Sequence, residues 1–171
     1  MARNVEIKAR VESIVDLEKK VAPLATEGPQ EILQDDTFFK CAEGRLKLRE
    51  FANGMGQLVF YQRSDKHGPK ESFYLISETS SPETLREVLS IAYGSIGRVK
   101  KKRLLYMIGR TRVHLDFVEN LGQFMELEVV LNDGESTETG IDEAHNLMKQ
   151  IGIDDSHLIE GAYFDLLSRK S

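Results

Sequence analysis

Asn4-Val5-Glu6-Ile7-Lys8-Ala9-Arg10 alternates polar or charged residues with apolar ones without a break. Read as a strand, it places Asn4, Glu6, Lys8 and Arg10 on one face and Val5, Ile7 and Ala9 on the other, because successive side chains point to opposite faces. Alone, such a run marks an ordinary half-solvated strand, with charges in water and aliphatics in the core. It is not alone. Arg45-Leu46-Lys47-Leu48-Arg49 alternates bases with leucine, and Lys101 and Arg103 share a parity within residues 99–106. Arg112, His114 and Asp116 share another, as do Glu126 and Glu128 within residues 124–130. Cations gathered in some strands and carboxylates in others point to a lined cavity.

Outward from the first strand, Ser13 caps a helix with apolar positions Ile14, Leu17, Val21 and Leu24, and Pro23 near its end. Gly28-Pro29 reads as a turn, residues 31–40 as a second strand entering a loop at Glu43-Gly44, and Arg45 to Phe51 as a third. Asn53-Gly54-Met55-Gly56 is a hairpin signal, and Gln57 to Arg63 returns with Val59, Tyr61 and Arg63 on one side. Asp65-Lys66-His67-Gly68-Pro69 is a polar turn before an apolar strand, Ser72 to Ser77. Ser81-Pro82-Glu83 opens a helix that Gly94 ends. Strands at about 96–108, 111–117 and 123–131 follow, then a helix from Ile141 to Ile151 stopped by Gly152. Residues 158–167 are too apolar for a free tail and should pack back on the body.

The expected fold is α+β: about eight mostly antiparallel strands closed as a β-barrel, with about three helices outside. Barrel interiors are ordinarily apolar. Here the amphipathic helices more simply cover the apolar strand faces, which turns the charged faces inward around a water-filled channel.

With 171 residues and no composition break, residues 1–171 read as a single domain. Charged residues make up 30% of the chain while the net charge is only −5, so the basic strands are local features, and a general nucleic-acid binder is disfavoured. The lone Cys41, beside Phe39, reads as a buried or half-buried small hydrophobe rather than a nucleophile, and one cysteine suits a reducing, cytoplasmic setting. Met1-Ala2-Arg3 leads directly into the first strand without a secretion-type leader, and no apolar run is long enough to cross a bilayer, so no membrane partner is expected.

A cavity lined by Lys8, Arg10, Arg45, Lys47, Arg49, Arg63, Lys101 and Arg103 needs a compensating anion. A linear polyphosphate carries several charges in a row, and arginine forks bind phosphate oxygens in pairs. Glu6, Glu126 and Glu128, with Asp116 behind them, form an oxygen-rich corner suited to Mg²⁺ or Mn²⁺, although these acids would equally serve as partners for the facing cations. His114 shares the parity of Asp116, but a histidine on a sheet face is more often a hydrogen-bonded bystander. No phosphate-binding glycine loop, hydrolase serine elbow or zinc spacing is present.

Taken together, Asn4-Val5-Glu6-Ile7-Lys8, Gly44-Arg45-Leu46-Lys47-Leu48-Arg49, Lys101-Lys102-Arg103, the run from His114 to Gly122 before Glu126-Leu127-Glu128, and Gly161 to Leu167 resemble the CYTH superfamily. These are the triphosphate tunnel metalloenzymes, which include class IV adenylyl cyclases and thiamine and inorganic triphosphatases. The resemblance covers nearly the whole chain. It implies an eight-stranded tunnel around a triphosphate, with Glu6, Glu126 and Glu128 as metal ligands, Asp116 at or near the metal, and the eight basic residues named above on the phosphates. It implies Lys8 as an acid/base candidate and Glu6 as part of the catalytic centre. Asn4 departs from the first glutamate of the E-x-E-x-K signature; an amide oxygen brings no charge, so a second metal would be held less tightly. The activity expected is metal-dependent hydrolysis of an inorganic or organic triphosphate. The alternatives are a class IV adenylyl cyclase, which the last two segments resemble most, and a non-catalytic polyphosphate-binding module.

Overall fold

The structure, a computed structural model, describes residues 2–64 and 67–170. The alternating stretches form eight strands among the described residues: β1 (Ala2–Arg10), β2 (Glu27–Phe39), β3 (Arg45–Phe51), β4 (Gly56–Arg63), β5 (Lys70–Thr79), β6 (Ser95–Ile108), β7 (Thr111–Val118) and β8 (Gly122–Val130). They close into a barrel in the order β1-β5-β4-β3-β2-β6-β7-β8, every pair antiparallel. Closure pairs every strand on both sides, which removes exposed sheet edges. Four α-helices among the described residues accompany it: α1 (Ile14–Val21), α2 (Pro82–Tyr93), α3 (Thr137–Ile151) and α4 (Tyr163–Lys170). None of the described helices is long and apolar enough to cross a membrane.

The helices decide which strand faces are dry. Ile7 and Ala9 of β1, Val113 and Leu115 of β7, and Met125 and Leu127 of β8 pack beneath Ile14, Leu17 and Val21 of α1 and Leu147, Met148 and Ile151 of α3. On the far side, Phe39, Leu46, Leu48 and Leu58 are covered by Leu85 and Leu89 of α2. Each fully buried aliphatic of this kind contributes roughly 1.5–3 kcal/mol. A one-residue slip of a strand would expose that set and drive charges under the helices, so the register is firmly specified. Gly140 lets α3 lie close on β1: a Cβ there would stand 2.7 Å from Val5 Cγ2 and 2.8 Å from Leu131 Cδ2.

With the aliphatics outward, the charged parity must face in. Glu6 pairs in register with Glu128 and Lys8 with Glu126, Asp36 with Arg49, Arg103 with Asp116, and His114 with Glu126. The polar faces do not run the whole barrel. At one end Phe38, Val99, Val118 and Phe124 point inward against Tyr163 and Phe164 of α4. Phe38 stacks on Phe164 at 4.9 Å and Phe124 tilts against Tyr163 at 5.1 Å. Gly97 makes room for this plug, since a Cβ there would lie 2.8 Å from Phe164 Cδ2.

Several boundaries differ from the sequence reading. Gly28-Pro29 does not end in a turn but lies inside β2, at an irregularity where the register against β6 shifts between Glu27 and Gln30. The shift absorbs the missing proline N–H. Helix α3 begins at Thr137 rather than Ile141, because the Ser136 hydroxyl accepts from the Thr139 N–H and caps it a turn earlier. The apolar tail does pack back, as a fourth helix. Cys41 is exposed rather than buried, its thiol donating to the Glu43 carbonyl. Of the polar turn before β5, Asp65 and Lys66 lie outside the described residues, as does Met1.

Candidate functional site

All eight strands contribute side chains to an internal cavity of about 340 Å³. Lys8, Lys47, Arg49, Arg63, Lys101, Arg103 and Arg112 line it, facing the four carboxylates of Glu6, Asp36, Glu126 and Glu128. Seven cations against four acids leave a positive excess in a space where burial weakens solvent screening. Ile32, Phe51, Ile76 and Leu105 line it as well, and Ile76 is half exposed.

One wall is built on Asp36. Arg49 donates twice to its carboxylate at 2.8 Å, while Lys47 and Lys101 each place Nζ 3.6 Å from Oδ2. Burial opposes the charge on Asp36, but Arg49, Lys47 and Lys101 outweigh it and hold the carboxyl far below its usual range. The lysines show the converse. Burial first, then Arg49, pushes Lys47 down to about 8, and burial with Arg103 lowers Lys101 well below the ordinary lysine value. This wall is short of negative charge.

The opposite wall joins β1, β7 and β8. Burial raises the pKa of Glu6, with Arg63 opposing and donating to Oε1 at 2.8 Å. Burial also disfavours charge on Glu126, yet Lys8, the close His114 ring, Arg103 and Lys101 hold it well below the usual range. Glu128 is likewise held down against burial, by His114 and Arg112. Its Oε2 accepts from Asn4 Nδ2 at 2.9 Å and Arg112 Nη2 at 3.0 Å. One ligand atom each from His114, Glu126 and Glu128 falls within 4.8 Å of the others.

Of the residues singled out in the sequence, Lys8, Lys47, Arg49, Arg63, Lys101, Arg103, Glu6, Glu126 and Glu128 come together in the cavity. Lys8 donates to the Gly161 carbonyl at 3.1 Å, lies 3.5 Å from Glu126 Oε1, and sits 4.0 Å from the Tyr163 ring centroid. Burial is the main cause of its lowered pKa. Arg10 does not join them: it is exposed at the end of β1, its guanidinium 4.9 Å over the Phe124 ring. Arg45 is also outside the lining, ion-paired at 2.6 Å with Asp165 of α4. In both cases the aromatic plug stands between strand parity and cavity. Asp116 is wholly buried behind the wall, both oxygens accepting from Arg103 at 2.7 and 2.8 Å and one from Tyr163 Oη at 2.7 Å. Its lone pairs go to positioning Arg103.

Asp36, Arg112, His114 and Tyr163 also belong to the site. Asp36 and Arg112 carry a usable signal, since each shares strand parity with cavity residues. Tyr163 carries none, because its position depends on where the tail folds back.

The whole barrel is the unit that comparison recognises: the model of the CYTH domain matches residues 2–163. The chain belongs to the CYTH family. Solved structures of similar fold include the PH1012 protein of Pyrococcus horikoshii, 24% identical over 95% of this chain and 98% of that one, with a TM-score of 0.86. A candidate adenylate cyclase from Vibrio parahaemolyticus is 18% identical over 96% and 97% of the two chains, with a TM-score of 0.78. A candidate adenylyl cyclase from Hippeastrum, described as revealing a dominant triphosphatase activity, is 18% identical over 98% and 95%, with a TM-score of 0.68. Among curated protein sequences nothing matches. At these identities the likeness to solved structures carries the CYTH fold, while the chemistry rests on this chain's own cavity.

Proposed function

We propose that this CYTH barrel is a metal-dependent phosphohydrolase that removes the terminal phosphoryl group from a linear triphosphate held in its cavity. The observation that carries the reading is the opposition of two walls: an anion-deficient one around Arg49, Lys47 and Lys101, and one bearing Glu126, Glu128 and His114. The volume of about 340 Å³ is at the small end of ligand pockets, roughly 300–1,000 Å³. It suits a phosphate chain inside, with any organic group toward Ile76 and Phe51. The substrate is then a small molecule, and the exposed, unpaired Cys41 fits work in a reducing cytoplasm.

The residues present fit a divalent ion: the three-residue cluster is buried or half-buried, and two of its neighbourhood's buried polar atoms, His114 Nδ1 and Asn4 Oδ1, make no well-aligned hydrogen bond. Glu126 and Glu128, with Glu6 opposite Glu128 in register, would hold Mg²⁺ or Mn²⁺, while Asp116 positions Arg103 from behind. Such an ion supplies charge neutralisation and polarisation at a phosphoryl oxygen. Arg49, Lys47, Lys101 and Arg103 bind and align the phosphates, stabilising charge on the oxygens as the terminal group departs. Arg63 steadies Glu6. Lys8, with its lowered pKa, is the group that gives or takes a proton at Nζ.

The test is purified protein with Mg²⁺ or Mn²⁺ and either tripolyphosphate or ATP, following orthophosphate and cyclic AMP in the same samples. Orthophosphate without cyclic AMP is expected. Cyclic AMP with pyrophosphate would replace hydrolysis by cyclisation, and binding without either product would leave a polyphosphate-binding module.

A further inference from the structure

The His114 side chain is buried, and its Nδ1 makes no well-aligned hydrogen bond. That atom points into the carboxylate cluster, 3.0 Å from Glu128 Oε1 and 3.9 Å from Glu126 Oε2. A buried ring nitrogen whose contacts are poorly aligned is under-satisfied unless something else uses its lone pair. Ligand atoms bound side by side to an ion at about 2.0–2.2 Å stand roughly 3 Å apart. The His114–Glu128 separation matches that spacing, and the whole set lies within 4.8 Å.

The neighbours explain why these atoms are left over. Glu128 Oε2 already accepts from Asn4 Nδ2 and Arg112 Nη2, which turns Oε1 toward His114. An Asn4 amide rotated the other way would set two acceptors face to face, so the Glu128 contact fixes its orientation. Arg103, 3.6 Å from Glu126 Oε2, is itself engaged by both oxygens of Asp116.

We propose that His114, through Nδ1, is a direct ligand of the cation held by Glu126 and Glu128, and that this mixed nitrogen–oxygen set selects Mn²⁺ over Mg²⁺. First-row divalent ions accept an imidazole nitrogen, Mn²⁺ the most weakly of them, whereas Mg²⁺ keeps to oxygen donors and water. The ring is then neutral and protonated at Nε2. The inference rests on reading the barrel as a metal site, not on which reaction it performs.

The test is pulsed electron paramagnetic resonance of the full-length protein loaded with Mn²⁺ alone, using chain in which only the histidines carry ¹⁵N. A directly bound histidine nitrogen is expected in the spectrum. It should vanish in His114→Gln, whose Mn²⁺ affinity should fall by about 10–100-fold, with a smaller loss for Mg²⁺. Bound Mn²⁺ without nitrogen coupling, as an imidazolium paired with Glu128 would give, overturns the proposal. So does coupling that survives in His114→Gln, or failure of the folded wild type to bind Mn²⁺. Nitrogen coupling without orthophosphate release would remove the hydrolase and leave this ligand; release without nitrogen coupling would do the reverse.

Discussion

Asp36→Asn removes the only carboxylate among the described residues that touches Arg49, Lys47 and Lys101 together. The wild-type group is buried and satisfied by two 2.8 Å hydrogen bonds, so its loss strands three cations in a low-dielectric space. Breaking a buried ion pair on one side costs about 3–5 kcal/mol. For a domain of this size each kcal/mol shifts Tm by roughly 2–4 °C, so a drop of about 6–20 °C is expected in phosphate-free buffer. The distinguishing feature is rescue. A ligand bound only by the folded state at 100 times its Kd adds about 2.7 kcal/mol. Tripolyphosphate should therefore raise the Tm of Asp36→Asn by more than it raises wild type, because the variant's cations lack their internal counter-ion. Thermal unfolding with and without tripolyphosphate reads both effects. Equal Tm shifts in the two proteins, or a variant as stable as wild type, would refute the view that Asp36 neutralises an anion-binding wall. The pH sign follows from its depressed pKa: the contribution is present above the ordinary carboxylate range and is lost as pH falls toward the folded value.

Glu128→Gln keeps shape but removes charge from the cation cluster; orthophosphate release should fall by about 100-fold or more while circular dichroism stays native. Lys47, held near a pKa of about 8, loses charge across mildly alkaline pH. Tripolyphosphate affinity should weaken above that pH, while the ligand-free fold gains slightly because the unfolded state then binds more protons. Titration calorimetry from pH 7 to 9.5 checks this, and Lys47→Arg, always charged, should flatten the binding curve. Gly140→Ala improves helix propensity but forces a methyl onto Val5 and Leu131, so a net loss of about 1–2 kcal/mol is expected in urea unfolding.

Strand parity made much of this molecule legible. Asn4, Glu6 and Lys8 alternate so strictly with Val5, Ile7 and Ala9 that covering the aliphatics with α1 and α3 leaves the charges nowhere but inside. The same logic carried Lys47, Arg49, Lys101, Arg103, Glu126 and Glu128 into one cavity. It misplaced Arg10 and Arg45 because parity says which face a residue takes, not how far along the barrel the polar space extends. That limit is set by Phe38, Phe124, Tyr163 and Phe164, whose meeting depends on the tail folding back across Gly97. Asp116 had the right parity, but the Arg103 and Tyr163 contacts that use its oxygens are tertiary. His114 was visible as an inward residue; what parity could not reveal was that its Nδ1 sits 3.0 Å from Glu128 Oε1 without a well-aligned hydrogen bond.

The most direct test is a crystal structure with tripolyphosphate and Mn²⁺ diffused into the Glu128→Gln variant. Phosphate density inside the barrel, touching Arg49, Lys47, Lys101 and Arg103, is the expected result. Tripolyphosphate bound on the outer surface, with the interior side chains still paired as they are now, would contradict the tunnel reading altogether.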